Sequence, residues 1–409
     1  VGRKALILVE GDRGNGPRHI QAAKRLGFHP ITLATDPAQY KYLVAENVDA
    51  VRADTGNIDA LISECYRLRL MYEIAGITGF VSDDVSLSAI VGKLSRHFGL
   101  PGPNPASVER CRDKFAQRKL LEEAGVSVPA YHRAANAKEV ESFATHIGLP
   151  VVVKPVRGSG SMGVRLCSNV EELAAHSASL LGRKNIPPDS QGILVEEFVQ
   201  GPHYGIDILG YEVIAIAALD FGVQPYFICR ECTYPAVLND DERASVDEIS
   251  LSCLRTLGLG WGPTNIELRW TKRGPVVIGV SPHLPSSPAP ELVWLAYGVD
   301  LIAEHIKLVT GVQKRLRRSP TDTAAARFLV PDRDGNLDWT DGDDRSAEGV
   351  AEVEWYIPPK TPIVRKGDYR DRIGHVIAVS TNRAQTQTML QRAADSINWS
   401  ITPSANLGE

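Results

Sequence analysis

VVVKPVRGSGSMGV, at residues 151–164, opens as a run of β-branched residues and closes as a loop of glycine and serine. The run predicts a buried strand whose end carries Lys154. The loop, 157–163, supplies Gly158, Gly160 and Gly163, with Ser159 and Ser161 between them and nothing bulky before Met162. Glycine takes backbone conformations that other residues resist, so such a loop can turn its N–H groups onto phosphate oxygens. The spacing is not the G-x-x-x-x-G-K-[ST] of a Walker loop, so the cation has to come from Lys154 on the preceding strand. Alone, the loop reads equally well as a flexible hairpin.

Its surroundings in the chain favour the phosphate reading. Upstream, RCRDKFAQRKLLEEAGVSVP has the apolar spacing of an amphipathic helix and carries Lys114. Downstream, VEEFVQG brings Glu196, Glu197, Phe198 and Val199 at the end of a strand. Two lysines from separate elements can pair with polyphosphate oxygens. A strand end with carboxylates and apolar residues can sandwich an adenine and accept its exocyclic amine.

The rest of the chain divides into three parts. In 1–103, ALILVE, PITLATD and ITGFVSDD read as buried strands, while HIQAAKRLG and VSLSAIVGKLSRHFG read as helices, giving a doubly wound α/β unit. In 104–312, VERCRDKFAQRKLLEEAG reads as one helix and HYGIDILGYEVIAIAALDFG as a hairpin about Gly210-Tyr211. NDDERASVDEISLSCLRTLGLG is a helix with an acidic start. TNIELRW and PVVIGVS are two strands joined at TKRG, and AYGVDLIAEHIKLVTG is a helix ending in Gly311. The remainder, 313–409, starts with the basic QKRLRRSPTD, read as a solvated surface connection. It continues as a small α+β extension with strands at VAEVEWYI and HVIAVS, a helix at RAAD and an acidic loop at DWTDGDDR.

Composition narrows the function classes. The 409 residues are 43% hydrophobic with a formal net charge of −4, so the overall balance advertises neither nucleic acid nor an anionic membrane. No apolar run approaches the roughly 20 residues of a spanning helix, and the opening VGRKALILVEGDRG turns polar too early for a signal peptide, so a cytoplasmic enzyme is expected. The six cysteines are scattered, and Cys229 and Cys232 form a lone C-x-x-C without a second ligand pair, which favours ordinary thiols over zinc or redox work. The loop GDRGNG, with Asp36 ending the next strand, imitates a dinucleotide fingerprint. Its glycine order is G-x-x-G-x-G, however, so a tight βα turn is the better reading than NAD binding.

With these pieces assembled, the chain resembles the ATP-grasp family from about residue 1 to 311, through DKFAQRKLLEEAGVSVPAY, VVVKPVRGSGSMGV, VEEFVQG and TNIELRWTKRGPVVIGVS. More specifically, CRDKFAQRKLLEEAG and YFICRECTYPAVLNDDE are similar to segments of L-amino-acid ligases, which make dipeptides. The resemblance implies a pre-ATP-grasp domain, an ATP-grasp domain of two α+β subdomains, and ATP with Mg2+ (Mn2+ as the alternative ion). It further implies a small carboxylate and an amine as substrates, joined through an acyl phosphate, and allows a homodimer. It assigns Lys114 and Lys154 to ATP phosphates, the stretch Gly158, Ser159, Gly160, Ser161, Met162 and Gly163 to a cover over them, and Glu196, Glu197, Phe198 and Val199 to adenine and ribose. Glu267 would hold the metal and Glu231 would receive the substrate amine.

The same resemblance exposes departures. On the return strand VVIGVSPHL, Gly279 stands where the family has a second metal-binding Glu, Ser281 where an Asn is frequent, and His283 near an expected Arg. Glu267 should lie opposite the Val280 region, with half the hard oxygen ligands gone. His283, when protonated, could still donate to an anion, although it lacks the guanidinium fork. His203, in GPHYGID, stands where relatives have Glu on the ribose side. Two readings follow: an ATP-dependent carboxylate-amine ligase, or an ATP-grasp module that binds nucleotide with altered or lost metal chemistry.

Overall fold

Seven successive residues, RKALILV, form β1 (Arg3–Val9), and from Ala5 to Val9 every side chain is fully buried. A strand apolar on both faces belongs inside a parallel sheet covered on both sides. The computed structural model, which describes residues 2–79, 86–182, 192–312, 316, 319–339 and 349–403, builds that sheet. The end of ITGFVSDD, half of QKRLRRSPTD and most of DWTDGDDR lie outside the described residues.

The leading unit runs β1, α1 (Gly16–Arg25), β2 (His29–Ala34), α2 (Lys41–Ala45), β3 (Asp49–Arg52), α3 (Ile58–Arg69), β4 (Tyr72–Gly79) and α4 (Ser86–His97). Its four strands are parallel in the order β3-β2-β1-β4, the doubly wound arrangement expected.

The single helix expected at VERCRDKFAQRKLLEEAG is two, α5 (Pro105–Arg112) and α6 (Lys114–Glu123). Asp113 between them is extended, at φ −93° and ψ 108°, and its carboxylate accepts from the Ala116 N–H at 3.0 Å. An aspartate competes well as an N-cap, and the new cap starts a helix whose first residue is Lys114. There follow β5 (Tyr131–Ala134), α7 (Ala137–Ile147), β6 (Val151–Pro155), β7 (Arg165–Cys167), α8 (Val170–Leu181) and β8 (Ile193–Glu197). They form an antiparallel sheet, β5-β8-β6-β7, with a core that draws on Val140 and Leu173 of the helices and on Val151, Val153 and Val195 of the strands.

The chain then crosses into a second sheet through β9 (His203–Leu209), β10 (Glu212–Asp220), β11 (Glu231–Tyr234), α9 (Asp240–Leu257), β12 (Pro263–Thr271) and β13 (Gly274–Ser281). The β9–β10 hairpin turns at Gly210-Tyr211 as expected. In the β12–β13 hairpin Glu267 pairs with Gly279 and Ile266 with Val280, and a register shift follows Glu267. The partner of Glu267 is thus Gly279 itself, one residue from the expected Val280.

AYGVDLIAEHIKLVTG does not form one helix. α10 (Ala289–Tyr297) ends at Gly298, which is left-handed at φ 65°, and α11 (Leu301–Val309) restarts with the Asp300 carboxylate accepting from Ala303 N–H at 2.9 Å. Glycine reaches that conformation without strain, so the break falls there. On α11, Ile302, Ile306 and Val309 pack with Leu6, Leu8 and Ile20, joining the leading unit to the rest.

The last segment contains β14 (Thr323–Leu329), β15 (Gly335–Trp339), β16 (Val350–Trp355), β17 (Pro362–Ile363), β18 (Gly374–Ser380), α12 (Arg383–Ser396) and β19 (Trp399–Thr402). Only β17-β15-β19 form a sheet of their own. β14 pairs with β11, so that one eight-stranded sheet runs β13-β12-β9-β10-β11-β14-β18-β16 across the middle and end of the chain. The extension is therefore a continuation of the central sheet. Among the described residues, no helix is long and apolar enough to cross a membrane.

Ile266 is fully buried beside Glu267 on β12, next to the edge strand of that sheet. Ile266→Ala should cost about 2–5 kcal/mol, read as a lowered thermal midpoint; an unchanged midpoint would show that the strand does not hold the sheet together.

Candidate active site

Between the two antiparallel sheets lies a cleft of about 1290 Å³. That exceeds the roughly 300–1,000 Å³ of a typical small-molecule site and leaves room for a nucleotide beside a second ligand. The deepest charge in its wall is Glu196, on β8 and 2% exposed. Its Oε1 accepts from Arg118 Nε at 2.8 Å and its Oε2 from Lys154 Nζ of the neighbouring β6. Burial pushes the Glu196 carboxyl up, but Arg118 and then Lys154 outweigh it and hold it below the usual carboxylate range.

Arg118 is fully buried, and it also donates through Nη2 to the carbonyl of Ile278 on β13. Gln117 clasps the same strand: its Nε2 donates to Val280 O at 2.8 Å, and its Oε1 accepts from Val280 N–H at 3.0 Å. β13 is the edge of its sheet, so these two side chains of α6 satisfy backbone groups that would otherwise face no partner.

Lys114, at the first turn of α6, donates from its side chain to Gly158 O and from its backbone to Val156 O at 2.8 Å. Burial, with the charges of Lys154 and Arg118 added, lowers its ammonium to about 7. The glycine-rich loop joins β6 to β7. Gly158, Gly160 and Gly163 have positive φ (130°, 59° and 71°), as does Ser161 at 62°. Gly160 is required twice over, because a Cβ there would lie 2.3 Å from the Tyr369 ring, whose backbone N–H donates to Gly160 O at 3.1 Å. The final segment of the chain thereby touches the loop directly.

Val199 is 4% exposed, and Phe198 meets Phe227 edge-on with the Arg269 guanidinium over its ring. With Val152, Val199 and Ile278 on the cleft wall, an apolar slot lies next to the strand crossing from one sheet to the other. Glu197 is tied to Arg273 at 2.8 and 3.0 Å. Both acidic residues of the hinge thus have side-chain partners, which leaves its backbone as the recognition element for a base.

Glu267 projects into the cleft with 43% of its side chain exposed, and His203 Nε2 lies 3.4 Å from its Oε2. His203 stacks on Phe221 at 4.5 Å and is kept neutral chiefly by burial, so it sits beside the metal-strand carboxylate. Two residues before Glu267, on the same face, Asn265 donates its Nδ2 to Asp207 Oδ1 at 2.9 Å, leaving Oδ1 available to a ligand. Asp207 is 1% exposed and also accepts from Tyr234 Oη at 2.6 Å; burial raises its carboxyl to about 6. Gly279, directly opposite Glu267, has no atom within 4 Å of where a Cβ would stand. One carboxylate and one amide oxygen fit a single Mg2+ whose coordination is completed by phosphate oxygens and water. They do not supply the carboxylates of a two-metal site.

Two expected site residues are not brought into these roles. Glu231 faces the other side of its strand: Arg327 holds its Oε2 at 2.9 and 3.1 Å, and Gln387 of α12 donates to its Oε1 at 2.7 Å. Its neighbours Cys232 and Tyr234 take the cleft face. His283 does line the cleft, but burial lowers its pKa and Nδ1 lies 2.7 Å from Leu284 O, so the neutral ring offers Nε2 as an acceptor and not as a cationic donor. Cys229 and Cys232 are free and buried, and burial pushes the Cys229 thiol up to about 11, as ordinary thiols require.

Sequence reading passed over Arg118, Gln117 and the Asp207–Asn265 pair. The available signal was Arg118 one helical turn after Lys114, at a position that the periodicity of α6 assigns to the core. The leading unit also reaches the cleft: Asn15 Nδ2 donates to Pro285 O at 3.1 Å, and Asp12 and Arg13 line the wall.

Comparison with known proteins agrees with this fold. The ATP-grasp domain model matches residues 147–284, and the model of L-amino acid ligase C-terminal domain 2 matches residues 327–402. The uncharacterized protein y4rH of Sinorhizobium fredii is 52% identical over 99% of this chain and 84% of its own length. Carnosine synthase 1 of Mus musculus is 27% identical over 79% of this chain, which spans only 41% of that relative. Among solved structures, an L-amino acid ligase from Bacillus licheniformis superposes with a TM-score of 0.82 at 18% identity, covering 98% of this chain and all of the other. N5-carboxyaminoimidazole ribonucleotide synthetase from Thermotoga maritima gives 0.69 at 19% identity, covering 98% of this chain and all of the other. These two establish likeness of fold. With the first match spanning the glycine loop, the hinge and the β12–β13 hairpin, and the second covering the strands that extend the sheet, the chain belongs to the ATP-grasp ligase family and carries an L-amino acid ligase C-terminal domain.

Proposed function

We propose that the chain is an ATP-dependent carboxylate-amine ligase that joins two amino acids, or closely similar small molecules, through an acyl phosphate. The observation that carries this reading is the convergence of Lys114, Lys154, the glycine-rich loop and Glu267 on one cleft from four separate elements. The adenine lies in the slot beside Val152, Val199 and Ile278. Lys154, locked by Glu196, and Lys114 neutralise phosphate oxygens, and the loop N–H groups close over them. A substrate carboxylate attacks the γ-phosphorus and ADP leaves. The substrate amine then attacks the acyl carbon, expels phosphate and loses its proton to solvent or a nearby base. A magnesium ion held by Glu267 and Asn265 would neutralise charge on the transferring phosphoryl group. The names of two relatives, carnosine synthase 1 and L-amino acid ligase, support amino acids as substrates.

A second reading, a nucleotide-binding module with altered metal chemistry, is favoured by Gly279 and Ser281 on the return strand and by the neutral ring of His283. Phosphate release separates the two. The ligase should release phosphate only when both acid and amine are present, and Lys154→Ala should reduce this at least about 100-fold. Release without amine would count against ligation, and ATP binding without turnover across a broad panel of amino acids would favour the module.

Gly279→Glu tests the metal strand. The open space beside Gly279 accommodates the side chain, and its carboxylate would face Glu267. We expect tighter Mg2+ dependence of turnover; no change would mean that another group already completes the metal site.

Lys114 gives a pH signature. With a pKa of about 7 in the free protein, it is mostly neutral at pH 8, and a bound polyphosphate favours its charged form. ATP binding at pH 8 should therefore take up about one proton, falling toward none at pH 6. Calorimetry in buffers of different ionisation enthalpy reads this directly, and uptake that persists in Lys114→Met would remove Lys114 from the phosphate site. The same shift makes Lys114 a stability cost that is full below about pH 7 and shrinks as pH rises from there toward 10.5, since the unfolded chain binds the extra proton over that range.

A further inference from the structure

We infer that Glu352, Glu354 and His375 form a separate divalent-metal site on the C-terminal wall of the cleft, suited to a first-row transition ion. Among the described residues, these three offer one ligand atom each within 4.8 Å of one another. Glu352 and Glu354 stand two apart on β16, and therefore on one face of the sheet; His375 of β18 pairs directly with Glu354.

The imidazole shows that more than an acidic patch is present. His375 is fully buried, and its Nε2 has no hydrogen-bond partner although Glu352 Oε1 lies only 3.8 Å away. Its other nitrogen, Nδ1, is 2.7 Å from Tyr356 Oη. When Nδ1–H donates to that oxygen, Nε2 presents its lone pair toward a carboxylate. Two acceptors facing each other call for a cation between them. Support of a ring through its second nitrogen is also the usual way in which metal-bound histidines are oriented.

The local charge points the same way. Arg18 is shared, donating to Glu352 Oε2 at 3.1 Å and to Glu291. Arg18 thus serves two carboxylates, Glu291 and Glu352, while Glu354 stands beside Glu352 on the same face, so a dication would offset the remaining negative charge. One imidazole with two carboxylates suits Zn2+, Co2+, Mn2+ or Fe2+ better than Mg2+ or Ca2+, which take all-oxygen shells. Zinc bonds of about 2.0–2.2 Å place adjacent tetrahedral ligands about 3.4 Å apart, so ligand atoms up to 4.8 Å apart need to close in by up to about 1.4 Å, and Glu354, whose Oε2 lies 3.8 Å from Nδ1, swings toward Nε2. The Glu354 side chain, 42% exposed and lining the cleft with Tyr356, has room to do so. Three protein ligands leave a position for water or a small anionic ligand on the cleft side.

The test uses the full chain, stripped with chelator and titrated with Co2+ in the absence of nucleotide, followed by d–d absorption and calorimetry. We expect one equivalent bound with a Kd of about 10 µM or tighter, displaced by Zn2+, which suits a tetrahedral set of imidazole and carboxylates. Glu354→Gln, at a half-exposed position, should weaken it at least about tenfold, whereas Glu267→Gln should leave it unchanged. No equivalent tighter than about 100 µM, undiminished binding in Glu354→Gln, or loss of binding in Glu267→Gln would each overturn the assignment.

Discussion

A deeply buried carboxylate, Glu196, is held between two cations, Arg118 and Lys154, and the organisation of the cleft depends on that contact. A lone charge at such a depth is untenable, and removing one partner of a buried pair costs about 3–5 kcal/mol. The three groups come from α6, β6 and β8, so satisfying one carboxylate fixes a helix against a sheet. Because Arg118 also reaches Ile278 O, the same contact extends to the edge of the other sheet. Lys114, one turn earlier on α6, is then positioned at the glycine-rich loop by the registry of the helix.

The cleft consequently has two sides of different character. The phosphate-facing side is rigidly connected: lysines, loop and hinge are linked by ion pairs and backbone hydrogen bonds. The β12–β13 side is held by Gln117 and Arg118 from outside, while its inner face offers one exposed carboxylate opposite a glycine. In the proposed reading, nucleotide affinity resides mainly in the first side and chemical competence in the second. The C-terminal strands bring a third wall, since they extend the same sheet and Tyr369 rests on Gly160.

Features set by local pattern were legible in the sequence. The leading parallel unit, the β9–β10 and β12–β13 hairpins, Lys154 and the glycine loop all follow from apolar runs, turn residues and spacing. What was missed depends on distant partners. Arg118 gains its meaning from Glu196, far along the chain: its place on the core-facing side of α6 is legible, its partner is not. The role that the resemblance gives Glu231 carries no information on which face its side chain takes, and that face is decided by the contacts with Arg327 of β14 and Gln387 of α12. The breaks at Asp113 and Gly298 were hidden inside apolar patterns that run on across them. The continuity of the C-terminal strands with the central sheet rests on β11–β14 pairing, which periodicity cannot report.

The division of the cleft into a binding side and a chemical side is tested most directly by measuring ATP affinity and phosphate release together in Glu267→Gln. The account predicts affinity within about threefold of the parent and turnover lower by at least about 100-fold, as for a group whose interaction is realised in the transition state. Loss of affinity in step with turnover, or turnover that survives the substitution, would contradict it.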